Sequence, residues 1–301
     1  MDTLKTLLYF SIFKYPLTEE EIYKFSRLTS KELMHEEIDF LLQKSIIYKF
    51  DGFYSTINDI ATVHRRTEGN RMAKNIMPKA FRVAKLITQF PYVEGVSLSG
   101  ALSKGYYDND GDIDFFIITK PNRLWIARTL LILYKKIFLL NSKKYFCVNY
   151  FISSSNLEIF EQNRFTATEA ITLIPVSGKA VYTSFIKENP WTKDYFPNIG
   201  PFDSSTINDY KKAWLSLLLQ RILNTKIGDF LDNFFRKITL KKWHSKFGHL
   251  EKDDFEIAMK STKNISKHHP QNFQKKVIDL LNEKYDTIRK LYNLDLHSEH
   301  A

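Results

Sequence analysis

Asp112 and Asp114 stand one residue apart at the head of an apolar run, Phe115-Phe116-Ile117-Ile118, a short way downstream of Gly100. In an extended chain successive side chains alternate between faces, so the two carboxylates share one side while Ile113 and Phe115 point into a core. Like charges so close repel, and the repulsion is relieved by protonating one of them, by a nearby cation or by solvation at an exposed edge. Metal binding is the reading that gives the pair a chemical purpose. Just upstream, SGALSKG (residues 99–105) sets Gly100 at a strand end with Ser99, Ser103 and Lys104 around it. A glycine there lets a phosphate approach backbone amides. Lys104 could neutralise phosphate charge or lay its aliphatic stem over the sheet edge.

Taken together, LSGALSKGYYDNDGDIDFFI resembles the signature of the DNA polymerase β-like nucleotidyltransferase superfamily: a Gly-Ser or Gly-Gly pair ending one strand, then Asp-apolar-Asp on the next. The resemblance covers residues 93–152. It implies a mixed sheet with flanking helices, a nucleoside triphosphate bound with Mg2+ or Mn2+, and transfer of a nucleotidyl group to an acceptor hydroxyl. By the match, Asp112 and Asp114 are the catalytic metal carboxylates, Gly100 is the close-approach residue, and Ser99, Ser103 and Lys104 join it in binding nucleotide. The chain departs from the pattern twice. Ala101 stands where the family has serine or a second glycine. The strand over 144–152 that should bring a third carboxylate offers Asn149 as the candidate third metal ligand. An amide oxygen can ligate but cannot take a proton from an attacking hydroxyl. Glu158, beyond that strand, is a second candidate. Three readings stay open: an active transferase, a catalytically silent nucleotide sensor, and an adaptor whose middle region only packs. The acceptor, whether RNA, protein or small molecule, cannot be read from the motif.

These residues need elements to position them. Residues 93–98 read as a strand, 99–111 as a polar loop, 112–118 as a strand, 124–140 as a helix starting after Pro121, and 145–152 as another strand. Strands alternating with a helix argue an α+β or α/β arrangement, and the match selects α+β with a central mixed sheet. Before it, residues 1–56 read as three short helices and a hairpin, the order of a winged helix. Thr18 and Glu21 form a capping box, and Asp51-Gly52 marks the hairpin turn. The third helix carries Glu32, Glu36, Glu37 and Asp39, which phosphate would repel. Packing or homodimer formation therefore suits this region better than DNA binding. Residues 57–90 read as a basic helix that Pro78 could interrupt. From residue 156 onward helices and loops are expected, with helices over 167–173, 207–223, 253–263 and 271–293. The expected organisation is 1–60 winged-helix-like, 61–90 basic connector, 91–200 nucleotidyltransferase-like and 201–301 all-helical.

Composition narrows the class. The chain has 301 residues and is 44% hydrophobic, enough for a substantial core. Its longest apolar stretch, 126–140, is broken by Arg128 and Lys135-Lys136 and falls short of a membrane span. The N-terminal residues lack a small-residue cleavage site, so no signal peptide is expected. One cysteine, Cys147, excludes an internal disulfide and points to a reducing cytoplasm. The net charge of +10 gathers toward the C-terminus, which suits a phosphate-rich partner or simply a lysine-rich helical surface. DNDGDID does not make a calcium loop, because Tyr106 and Ile117 would occupy ligand positions. His244 with His249, and His268 with His269, lack zinc spacing.

Overall fold

The computed structural model describes residues 1–200, 203–269 and 271–300. The chain opens with helices α1 (Asp2–Ser11), α2 (Glu19–Lys24) and α3 (Lys31–Gln43), then a hairpin of β1 (Tyr48–Phe50) and β2 (Phe53–Ser55). Asp51 and Gly52 both take left-handed backbone, φ +48° and +82°, which matches the twist of the two strands. The expected capping box forms at α2: Glu21 N donates to Thr18 Oγ1 at 3.3 Å and Thr18 N to Glu21 Oε2 at 2.9 Å. The same carboxylate takes two bonds from buried Arg66, at 2.7 and 2.8 Å, and so ties α2 to the next helix.

That helix is α4 (Ala61–Thr88), and it runs unbroken through Pro78. Proline removes one backbone bond and crowds the preceding turn. Here Ala73, Ala80, Ala84 and Ile87 seat the helix on the sheet from both sides of the proline and hold it continuous. The chain continues through β3 (Val93–Ser99), α5 (Gly100–Ser103), β4 (Asp114–Thr119), α6 (Leu124–Phe138), β5 (Cys147–Ser153), α7 (Arg164–Ile171), β6 (Ile174–Ser177), α8 (Lys179–Glu188) and α9 (Thr192–Tyr195). It ends with α10 (Trp214–Leu223), α11 (Lys226–Phe247), α12 (Lys252–Ala258), β7 (Ile265–Lys267) and α13 (Phe273–Tyr292).

Five strands form one mixed sheet in the order β6-β3-β4-β5-β7, with β4 and β5 parallel and the other pairs antiparallel. The protein is α+β. Alternation along β4 divides its side chains: Phe115 and Ile117 join Val96, Leu98 and Val148 under α4 and α6. Phe116 and Ile118 join Ile152 on the opposite face, in a core that also holds Leu4 and Leu8 of α1, Phe185 of α8 and Tyr285 of α13. The N-terminal helices and the last helix thus share one apolar core with the sheet. No helix among the described residues is long and apolar enough to cross a membrane.

The C-terminal third differs from the all-helical expectation. β7 closes the sheet edge on β5, pairing Lys267 with Tyr150 and Ile265 with Ile152. Three residues are too few to show a strand period, so only the partner strand defines it. β6, another short strand, was likewise hidden, as was the 22-residue helix α11. The apolar helix expected over 207–223 begins only at Trp214. The Lys212 ammonium donates to the carbonyls of Thr88, Phe90 and Val93, which holds the preceding segment to the end of α4. α10 also turns its apolar side outward, with Trp214, Leu217 and Ile222 each more than half exposed.

Candidate functional site

The backbone ahead of β4 is already extended: Ile113 N donates to Lys144 O at 2.9 Å, and Cys147 N to Ile113 O at 3.0 Å. Ile113 is fully buried, so Asp112 and Asp114 flank it on the side away from its own core. The expected strand therefore begins as β4 at Asp114 and keeps the expected alternation. In register, Asp114 lies between Ser99 of antiparallel β3 and Cys147 of parallel β5.

Gly100 follows Ser99 and needs to be glycine for two reasons. Its φ is +67°, a left-handed conformation that L side chains rarely adopt, and a Cβ there would collide with the Asp114 carboxylate. The loop expected to hold phosphate and the acid pair are thus in direct contact. Past Gly100 the chain turns through α5, where Ser103 Oγ and Lys104 Nζ donate to Gly100 O at 2.9 and 3.0 Å. Tyr15 OH donates to Lys104 O at 3.3 Å and Asn70 Nδ2 to Gly105 O at 2.5 Å, so α4 and the N-terminal region brace the turn.

Lys104 is not free. Its ammonium pairs with Glu169 of α7 at 2.7 Å. Glu169 went unmarked in the sequence because nothing local distinguishes it from a solvated helix acid. Only the packing of α7 brings it here.

Asn149 reaches the site through a bulge. Phe115 pairs with Val148 and Phe116 with Tyr150, which leaves Asn149 as the extra residue on β5. Its Nδ2 donates to Asp114 Oδ1 at 3.2 Å. In this arrangement the amide serves Asp114 as a donor, not as an oxygen ligand. Glu158 is not brought in: it lies exposed past the far end of β5. Among the described residues no group of three His, Cys, Asp or Glu side chains gathers as a metal cluster. The carboxylates on hand are Asp112 and Asp114, with Glu169 beside Lys104.

Burial pushes the Asp114 carboxyl up to about 6. A hydrogen bond from the Cys147 thiol opposes this, the charges of Glu169 and Asp112 add to it, and Lys104 pulls back. Burial and the neighbouring Asp114 drive the Cys147 thiol up as well, which keeps it protonated and unreactive. Among the described residues no cationic side chain forms an ion pair with Asp112 or Asp114. A desolvated carboxyl with a like-charged neighbour and no ion-pair partner is an arrangement that a divalent cation stabilises.

Comparison with protein-family models, with curated proteins and with solved structures returned no match to this chain.

Proposed function

We propose that the protein is a metal-dependent nucleotidyltransferase that moves a nucleoside monophosphate from a nucleoside triphosphate to an acceptor hydroxyl. The observation that carries this reading is the contact between left-handed Gly100 and the Asp114 carboxylate, which sets a phosphate-approachable turn directly against an acid pair. The donor set fits Mg2+ or Mn2+: hard carboxylate oxygens, one of them desolvated and neither tied to a protein cation. Asp112 and Asp114 would hold the ion. Bound there, it would neutralise charge on the phosphates and on the leaving pyrophosphate.

The chain's own residues do the rest. Gly100 admits the triphosphate to the backbone, with Ser99 and Ser103 as hydroxyl partners. Lys104 exchanges Glu169 for a phosphate oxygen. The acceptor hydroxyl oxygen bonds to the α-phosphorus, the bond to the β-phosphate bridge breaks, and pyrophosphate leaves. The hydroxyl proton needs a base, which Asn149 cannot be. Once Lys104 has turned away, Glu169 is the nearby carboxylate able to accept it.

Asn149 also favours a second reading, a nucleotide sensor that binds without turnover. Incubating the full chain with each labelled nucleoside triphosphate and magnesium separates the two. Labelled product and pyrophosphate, both lost in Asp112→Asn, support the transferase. Magnesium-dependent ATP stabilisation without product supports the sensor. Binding of neither nucleotide nor metal removes both and leaves an adaptor built on the winged-helix-like N-terminal region.

A further inference from the structure

Arg128 and Lys135 lie on α6 two turns apart and are almost fully buried, at 9% and 8% exposure. Among the described residues neither forms an ion pair or a hydrogen bond through its side chain. The Arg128 guanidinium sits 4.9 Å from the Trp243 ring centre and 5.6 Å from that of Trp125. Indole faces attract a cation but accept none of the guanidinium's N–H bonds and leave its charge in place. Neither head is among the sealed, unpartnered nitrogens of the described residues, so both reach solvent, where an anion can meet them and offset the cost of their largely buried surroundings.

Other positive groups converge on the same place. The His268 ring lies 5.0 Å from Trp243, and its backbone amide donates to Asn149 O at 2.9 Å, next to the acid pair. Arg128, Lys143, Lys135 and Lys246 all act electrostatically on His268; together with burial, the leading cause, they hold its ring neutral with a pKa of about 4. A neutral imidazole still offers one N–H to an anion. The acidic groups that act on Lys135 are Cys147 and Asp112, and they mark where the cluster meets the site.

The cluster is distinct from the nucleotide loop. α6 covers the sheet face that carries Phe115 and Val148, whereas Asp114 shares the opposite face with Phe116. The two regions meet only around the start of β5.

We propose that Arg128, Lys135, Lys143, Lys246 and His268 form a second anion site, which takes a phosphate group carried by the acceptor. The word acceptor rests on the transferase reading; the phosphate site does not. The solvent-reaching heads of Arg128 and Lys135 fix the phosphate, the two exposed lysines close over it, and the neutral histidine donates one hydrogen bond. Beside Asp112, this would bring a phosphorylated acceptor to the nucleotide from the side opposite the Gly100 loop.

The test uses the full chain with EDTA and inorganic pyrophosphate, followed by titration calorimetry and by tryptophan fluorescence, since Trp125 and Trp243 line the site. One saturable equivalent is expected. The exposed double variant Lys143→Glu with Lys246→Glu should weaken it at least tenfold, Arg128→Gln should abolish it, and Asp112→Asn, which removes a nearby negative charge, should not weaken it. Should Arg128→Gln fail to fold, the exposed pair decides. No saturable binding by the wild type, or equal binding by the double variant, overturns the site. Adding ATP with magnesium identifies the source of the phosphate: binding without displacement of pyrophosphate supports the acceptor, and one-for-one displacement overturns that assignment in favour of the nucleotide's own phosphates. Pyrophosphate binding that persists in a chain without transferase activity would leave this site standing while the proposed activity fell.

Discussion

Asn149 donates to Asp114 Oδ1 at 3.2 Å from a bulge in the neighbouring parallel strand, where the resembled family brings its third carboxylate. A neutral donor in that position eases a carboxyl that burial already pushes up to about 6. Asn149→Asp would exchange this hydrogen bond for a like charge. Without divalent metal the variant should lose about 1–3 kcal/mol of stability. Magnesium should narrow or reverse the difference, because a third carboxylate strengthens a hard-cation site. Thermal denaturation in EDTA and in magnesium reads both effects. A variant as stable as the wild type in EDTA, or one indifferent to magnesium, would contradict the arrangement.

Gly100 and Gly105 allow the Asp114 contact to be separated from backbone strain. Both have positive φ, +67° and +77°, so alanine at either position costs about 1–2 kcal/mol through the backbone. Only at Gly100 does the new Cβ meet the Asp114 carboxylate; at Gly105 its nearest neighbour is Asn70 Nδ2 at an ordinary 3.8 Å. Gly100→Ala should therefore be the more destabilising by at least about 1 kcal/mol. Combining it with Asp114→Ala should remove most of that excess, and a double-mutant cycle from urea unfolding measures it. Equal costs at the two glycines would mean that the turn does not press on the acid.

How much of this was legible in the sequence follows from the range of each interaction. The turn at Gly100, the alternation through Asp112 and Asp114, the Thr18 and Glu21 cap and the Asp51-Gly52 hairpin all depend on near neighbours, and all appear as read. Asn149 was found because a strand can be counted residue by residue, although the bulge that aims it at Asp114 could not be foreseen. Glu169, by contrast, meets Lys104 only after α7 packs. Arg128 and Lys135 looked like interruptions of an apolar run, and their burial depends on α11 and β7, neither of which was visible in the sequence. α10 misleads for a related reason: its apolar period predicts a buried face, and the structure leaves that face exposed.

Asp232 gives a pH-dependent prediction remote from the site. α6 begins at Leu124 without a side-chain cap of its own, and Asp232 of α11 supplies the acceptor, taking the amides of Trp125 and Ile126 at 2.9 Å each. Burial pushes Asp232 up to about 6, with those two amides, Arg123 and Lys263 pulling back. Because the folded value lies above the unfolded 3.8, this group's contribution is fully present below about pH 4 and is lost as pH rises through about 6. Asp232→Asn keeps an acceptor oxygen but does not titrate. Relative to the wild type it should gain about 2 kcal/mol between pH 4 and 7. Asp232→Ala does not titrate either and also lacks the acceptor, so it should follow the same pH trend while lying about 1–2 kcal/mol below Asp232→Asn. Urea unfolding of the three proteins at a series of pH values checks this, and a constant gap between the wild type and Asp232→Asn would count against it.

Lys212 poses the opposite balance at the junction of α4 and β3. Its ammonium donates to Thr88 O, to Phe90 O at 3.0 Å and to Val93 O at 2.5 Å, so three donors meet three carbonyls. Burial lowers its pKa to about 8, with Glu94 opposing. The folded value thus lies below the unfolded 10.5, so the contribution from titration is present above about 10.5 and is lost as pH falls through about 8. At pH 7 the lysine is charged and carries that desolvation penalty. Lys212→Met removes the penalty but orphans three carbonyls at once, and the loss of charged hydrogen bonds at about 1.5–3 kcal/mol each outweighs it. The variant should be less stable at pH 7 by about 2 kcal/mol or more, and the gap should widen above pH 8 as the wild type sheds its proton. Urea unfolding at pH 7 and at pH 9.5 measures both. A gap that closes at the higher pH would show that the charge, not the three carbonyls, sets the balance at the end of α4.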